Sequence, residues 1–262
     1  MPVVASDQEP LSSFHPLVRE WFRETFPAPT DAQRQAWQQI ERGEHTLLLA
    51  PTGSGKTLAA FLVAINRIMF GQPPNDAVSS VKVLYISPLK ALGVDVERNL
   101  RAPLAGVRAI AERGGIAHRV PTVSVRSGDT STADRSQMLR HPPDILITTP
   151  ESLYLLLTSR SREMLAGVET IIVDEIHSLV GGKRGTHLFL TLERLEELRR
   201  RNNHARTRAQ RIGLSATQRP LDEVAQLLGG AEISPDGGDP VRRHVAIVEA
   251  GRSKQLQLKR KR

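Results

Sequence analysis

The chain has 262 residues, of which 24% are charged and only 4% aromatic, with a formal net charge of +8. That length suits one large α/β domain or two small ones and allows a sizeable buried core. With no cysteine, the chain excludes disulfides, iron–sulfur clusters and thiol nucleophiles of its own. It carries no apolar run of 18 residues, so a transmembrane helix is excluded, and residues 1–13 lack a basic-then-apolar leader. A cytoplasmic location, away from membranes, is expected, and the basic balance favours a polyanionic partner.

Helical periodicity predicts helices over 16–24 and 31–42. A short apolar strand over 46–50 follows, and then Ala50-Pro51-Thr52-Gly53-Ser54-Gly55-Lys56-Thr57 leads into a helix over 56–70. Residues 72–80 read as an exposed loop rich in turn formers. Strands are then predicted over 82–87, 122–126, 144–148, 170–174, 211–214 and 244–249. Helices over 89–112, 132–140, 150–157, 186–201 and 221–228 alternate with them. A second loop, 234–239, precedes the last strand. Such alternation, with β-branched and nearly continuous apolar strands, predicts a mainly parallel sheet of about seven strands covered by helices on both faces. In an open parallel sheet, ligands bind beyond the carboxyl ends of the strands. Residues 50–57, 88–90, 127–129, 149–151, 175–177 and 215–217 should therefore line one edge.

Residues 50–57 fit a phosphate-binding loop in the strand–loop–helix setting that such loops require, with Ala50 at the usual first Gly. Gly53 and Gly55 can take backbone angles that turn N–H groups of Thr52, Ser54 and their neighbours onto one phosphate cluster. The following helix adds its positive end. Lys56 would reach the β- and γ-phosphates, and the Thr57 hydroxyl would sit on Mg²⁺. Farther along, Ile171-Ile172-Val173-Asp174-Glu175-Ile176-His177 is an apolar strand ending in two carboxylates and a histidine. Asp174 would hold Mg²⁺, through water, and Glu175 would polarise the attacking water. An acidic helix start is the alternative for this pair. Ser215 and Thr217, after a later strand, could hydrogen-bond the acidic motif and report nucleotide state; a plain turn or N-cap is the alternative. Gln33 could read adenine with both faces of its amide, or be an ordinary exposed glutamine early in a helix.

These residues, taken in order, resemble the superfamily 2 helicases of the DExH type, and more closely the large helicase-related (Lhr) proteins. Residues 50–57 match motif I, Asp174-Glu175-Ile176-His177 motif II and Ser215-Ala216-Thr217 motif III. Ser87-Pro88-Leu89-Lys90-Ala91-Leu92 resembles motif Ia, and Thr148-Thr149-Pro150-Glu151-Ser152-Leu153 motif Ib. Residues 30–33 resemble the adenine-reading Q motif, with Phe14 or Trp21 a candidate stacking neighbour. The Lhr-like context is Phe14-His15-Pro16, Trp21-Phe22, and residues 178–188. The resemblance implies a first RecA-like motor domain over 14–250, preceded by an extension over 1–13 and followed by a basic tail over 251–262. It implies ATP and Mg²⁺ as cofactors, with Lys56, Asp174, Glu175 and His177 as the catalytic set. It also implies movement, 3′ to 5′, on single-stranded DNA or RNA, with action on RNA–DNA hybrids and in repair. The family's second RecA-like domain, with its arginine fingers, lies beyond this sequence, so the chain is expected to be incomplete and inactive in unwinding on its own. A nucleic-acid-binding module that uses ATP as a switch is the alternative.

For nucleic acid, Pro88, Lys90, Thr149 and Pro150 in the two motif-like segments, with Arg98 and Arg126, could hold phosphates independently of sequence. Lys183 and Arg184 lie in a Gly-flanked stretch read as a loop and are further candidates. The cluster Arg199, Arg200, Arg201, Arg206, Arg208 and Arg211 precedes a strand and is expected at the opposite edge, as a solvated or partner-facing patch. The helix over 191–198 reads as amphipathic core packing.

Overall fold

In the computed structural model, residues 9–71, 80–202, 207–216, 220–232 and 238–250 are described. A seven-stranded sheet runs through them. Its members in chain order are β1 (His45–Leu49), β2 (Val83–Ile86), β3 (Val123–Arg126), β4 (Ile145–Thr148), β5 (Thr170–Val173), β6 (Gln210–Ser215) and β9 (Val245–Glu249). They lie in the spatial order β3-β4-β2-β5-β6-β1-β9, and every ladder between them is parallel. A separate antiparallel pair joins β7 (Ala231–Glu232) to β8 (Val241–Arg242).

Among the described residues there are eight α-helices, two before β1 and six between strands: α1 (Pro16–Thr25), α2 (Asp31–Glu41), α3 (Lys56–Phe70), α4 (Lys90–Arg113), α5 (Thr132–Arg140), α6 (Pro150–Leu157), α7 (Lys183–Arg201) and α8 (Leu221–Gly229). Alternate residues of each strand point to opposite faces, and the two cores follow from that. Leu48, Tyr85 and Ile147 face α1 to α4, whereas Leu47, Leu84, Ile86 and Leu146 face α6 to α8. At β2, β4 and β5 every residue is buried, which is why these strands read as nearly unbroken apolar runs. The order brings the ends of β5 and β1 to either side of β6. Segments that follow β5, β6 and β1 therefore converge on one stretch of the carboxyl edge.

Three expectations need correction. Arg199 and Arg211 are 2% and 1% exposed, so they are core residues and no part of a solvated patch. Arg199 is held by Glu196 and the Thr207 carbonyl, and Arg211 by Glu193 and the carbonyls of Leu228 and Gly229. Charge and carbonyls offset most of the cost of burying these guanidiniums, although Arg199 Nε and Arg211 Nη2 have no partner among the described residues. Arg200 and Arg201 are exposed and paired with Glu197, and Arg206 lies outside the described residues. Next, Lys183 and Arg184 open α7 and do not sit in a loop. Finally, Phe14 and Trp21 are buried: Phe14 packs edge-on to Trp37, 5.0 Å away, and Trp21 packs on Phe22 and Phe26. Their rings are spent on the core beneath α1 and α2, so neither presents a stacking face. The loop read over 72–80 and that over 234–239 fall largely outside the described residues, as do the stretches 1–8 and 251–262.

Candidate active site

The phosphate loop leaves β1 and enters α3 through two left-handed glycines, Gly53 at φ 80° and Gly55 at φ 81°. Gly55 is required twice over. Its backbone angle disfavours any side chain, and a Cβ there would lie 2.5 Å from Gln33 Nε2. Lys56, the first residue of α3, folds its ammonium back onto the carbonyls of Ala50 and Pro51, the latter at 3.0 Å. Burial lowers its pKa, and the nearby Glu175 and Asp174 carboxylates oppose that. Ser54 Oγ is buried with no partner among the described residues. A cationic group resting on loop carbonyls, an unpartnered hydroxyl and a helix N-terminus together form a cradle chemically suited to an anion. Thr57 follows in the first turn of α3.

Across β6, Asp174 follows directly on β5, and its carboxylate is fixed from both sides. The Glu175 backbone N–H donates to Oδ1 at 2.9 Å, and the Tyr85 hydroxyl donates to Oδ2. Tyr85 is fully buried on β2 and stacked on Phe61 at 5.0 Å. Burial first, then the Asp174 charge, pushes its phenol well above the usual range, so it stays a donor. Glu175 is the one non-glycine residue with positive φ among the described residues, at 43°. That conformation costs on the order of 1 kcal/mol and turns the chain sharply into the one-turn helix Ile176–Ser178. His177 Nδ1 lies 3.3 Å from Glu175 Oε2 and 3.2 Å from Ser215 Oγ. Ser215 Oγ donates onward to the Ala216 carbonyl at 2.8 Å. His177 thus bridges the carboxylate beside the loop to the end of β6. Thr217, expected to share that role, lies outside the described residues.

Gln33 is 3% exposed, which removes the exposed-glutamine alternative. It completes a capping box: the Thr30 hydroxyl accepts from Gln33 N, and Gln33 Oε1 accepts from Thr30 N at 2.9 Å. Its Nε2 reaches the Gly55 carbonyl at 3.5 Å, and Thr30 Oγ1 donates to the Ser54 carbonyl at 2.9 Å. The start of α2 is therefore sewn onto the phosphate loop. Among the described residues no group of three His, Cys, Asp or Glu could cage a metal. A cation shared between phosphates, the Thr57 hydroxyl and Asp174 fits this donor set better than an all-protein site.

Beyond the loop, the same edge carries the ends of β2, β4 and β3. Lys90, first in α4, pairs with Asp129 at 2.7 Å. Thr149 caps α6, accepting from Ser152 N, and Pro150 takes the first helical position. Arg126 is half-buried, with Nη1 unpartnered among the described residues. Arg98 lies one turn and more into α4, near Asp95.

Residues 30–224 match the family model described as DEAD/DEAH box helicase. The chain belongs to the DEAD/DEAH box helicase family. The Lhr helicase/probable uracil glycosylase of Mycolicibacterium smegmatis is 56% identical over 222 residues, covering 85% of this chain and 14% of that protein. An ATP-dependent helicase Lhr-Core of Methanothermobacter thermautotrophicus is 46% identical over 248 residues, covering 94% of this chain and 27% of its own length. The structure of Mycobacterium smegmatis helicase Lhr bound to ssDNA and AMP-PNP superposes with a TM-score of 0.81 at 52% identity, over 92% of this chain and 28% of that one. The DEAD-box helicase Mss116, at 18% identity and a TM-score of 0.68, shares the fold. The fold is thus the RecA-like one, and the chain spans between about one seventh and just over a quarter of the curated relatives named here. Within this helicase fold, sequence reasoning missed Tyr85. Its signal was present: a hydroxyl in an otherwise apolar strand buried on both faces needs a partner.

Proposed function

We propose that this chain is the ATP-binding motor domain of an ATP-dependent helicase or translocase acting on single-stranded nucleic acid. The observation that carries the reading is the convergence of two segments on one sheet edge: a glycine-shaped anion cradle with Lys56, and the Asp174–Glu175 carboxylates. The relative solved with ssDNA and AMP-PNP supports the same ligands for this chain. Lys56 leaves the Ala50 and Pro51 carbonyls to pair with the β- and γ-phosphates. Gln33 gives up its bonds to the Thr30 N–H and the Gly55 carbonyl to read the adenine with its amide. The Thr57 hydroxyl and Asp174 would hold Mg²⁺, which would supply charge neutralisation at the phosphates. Glu175 accepts the proton of the water that attacks the γ-phosphate. His177 and Ser215 carry the position of Glu175 to the end of β6, where a change of nucleotide state can be felt. Pro88, Lys90, Arg126, Thr149 and Pro150 track the strand by its phosphates, so binding is sequence-tolerant. Movement is 3′ to 5′. The domain occupies residues 14–250, and a second RecA-like domain supplies the arginine that stabilises charge on the γ-phosphate.

The test is Glu175→Gln in the chain joined to its second motor domain. The amide keeps the shape of the carboxylate and cannot accept a proton. Nucleotide binding should persist while turnover stops; turnover at the unsubstituted rate would remove Glu175 from the role of base.

A further inference from the structure

Arg184 is not free to act as a simple phosphate contact. Its Nε donates to Glu151 Oε1 at 2.5 Å, and its Nη2 donates both to Glu151 Oε2 at 3.1 Å and to the Pro88 carbonyl at 2.6 Å. One guanidinium therefore joins three segments that follow three different strands. Pro88 follows β2, Glu151 is in the first turn of α6 after β4, and Arg184 is in the first turn of α7 after β5. Only a planar fork with parallel donors can make this set of bonds; a lysine ammonium cannot span it.

The connection runs back along the chain to the acidic motif. From Glu175 the chain passes through the one-turn helix Ile176–Ser178 to Leu179, which is 1% exposed. It turns at Gly181, φ 80°, and enters α7 at Lys183. Gly185 lies so close to the Leu179 carbonyl that a Cβ would stand 1.7 Å from it. The first turn of α7 is thus packed directly on the segment that follows the acidic motif.

We infer that Arg184 is a positioning residue: it latches the Pro88 loop to the start of α6, holding the two strand-contacting segments in register with the acidic motif. The inference rests on the nucleic-acid-binding role proposed above. Exposed ion pairs contribute little to overall stability, and both partners here are substantially exposed, Arg184 by 41% and Glu151 by 58%. A stabilising role is therefore a poor account of three bonds converging on one side chain. The hydrogen bonds from Arg184 hold the Glu151 carboxyl below its usual range, so the pair stays charged at neutral pH.

The experiment measures binding of a fluorescent single-stranded oligothymidylate to the full-length protein across a series of salt concentrations. Variants are Arg184→Gln, Arg184→Lys, Glu151→Gln and the double Arg184→Gln/Glu151→Gln, with ATP affinity measured in parallel. Each single variant should weaken oligonucleotide binding by about fivefold, the upper range for an exposed charged pair. The double should lose no more than a single one, because both remove the same latch. ATP affinity and the salt dependence should match the unsubstituted protein. A direct phosphate contact would behave differently. Arg184→Lys would bind normally, Glu151→Gln would bind as well or better, and Arg184→Gln would lower the log–log salt slope by about 0.7. That pattern, additive losses, or no loss in any variant would overturn the latch. Failure of the unsubstituted protein to bind any single strand would instead overturn the nucleic-acid reading beneath it.

Discussion

Lys56 and Tyr85 show how differently two site residues are written in a sequence. Lys56 is legible because phosphate cradling demands glycines, a lysine and a hydroxyl at fixed spacing. Replacing it by alanine should weaken ATP binding by at least about 30-fold, since one member of a desolvated charge pair is lost. Calorimetry with unchanged affinity would remove Lys56 from the site. Tyr85 is illegible as a site residue because its hydroxyl meets Asp174 only once β2 and β5 lie side by side. Tyr85→Phe keeps the ring on Phe61 and deletes one donor to a carboxylate, an interaction typically worth about 1.5–3 kcal/mol. With Asp174 less firmly aimed, half-saturation of nucleotide binding should need several-fold more Mg²⁺, alongside a loss of thermal stability from the deleted buried donor. An unshifted Mg²⁺ titration would show that Asp174 holds its position without help. The left-handed backbone of Glu175 was equally hidden, since nothing in Asp-Glu-Ile-His specifies φ.

Elements were largely legible wherever one periodicity ran to a clear stop. The helices Thr132–Arg140 and Pro150–Leu157 end where the sequence reading ends them, one started by the Ser131 cap and the other by Thr149-Pro150. The start of α7 was not legible, because Gly181, Gly182 and Gly185 argue locally for a loop. Packing overrides that preference at Gly185, where the missing Cβ admits the Leu179 carbonyl. Gly185→Ala, although it raises helix propensity, should therefore destabilise the chain by about 1–3 kcal/mol in urea unfolding. A more stable variant would mean that the close approach is not required. The β7–β8 pair was missed because two-residue strands carry no period.

A buried junction between β1 and β6 sets a pH limit at the same scale. His45 Nδ1 accepts from the Arg211 backbone N–H at 3.0 Å, and only the ring with that nitrogen unprotonated can do so. Burial first, then the Arg211 and Arg243 charges, lowers its pKa from 6.5 to about 4. Between those values the unfolded chain binds more protons than the folded one. Stability is therefore fully present above pH 6.5 and is lost as pH falls toward 4, by on the order of 2 kcal/mol from this group. Urea unfolding at pH 7 and pH 5 should show the loss in the natural chain and much less of it in His45→Asn. Equal losses would assign the acid sensitivity to other groups.

At the scale of the whole molecule, the fold class and the sharing of one sheet edge followed from the alternation of strands and helices, because parallel strands put every post-strand segment at the same end. The strand order did not follow: nothing local says that β6 inserts between β5 and β1, yet that insertion is what lets Ser215 meet His177. The arginines were misjudged for the same reason, since whether a guanidinium is buried depends on which helix closes over it. Among the described residues no helix is long and apolar enough to cross a membrane. Among the described residues of the densest arginine cluster, Arg199 and Arg211 are buried on Glu196 and Glu193, and Arg200 and Arg201 pair with Glu197, so none is a ready-made arginine finger. Phosphoryl transfer with and without such a finger differs by about 10³–10⁵ in rate. The decisive measurement is ATP hydrolysis, with Mg²⁺ and increasing single-stranded DNA, by residues 1–262 alone and by the same residues joined to a second RecA-like domain. The joined protein should respond to DNA and exceed the chain alone by about 10³ or more; equal rates, indifferent to DNA, would mean that this chain is not half of a nucleic-acid motor.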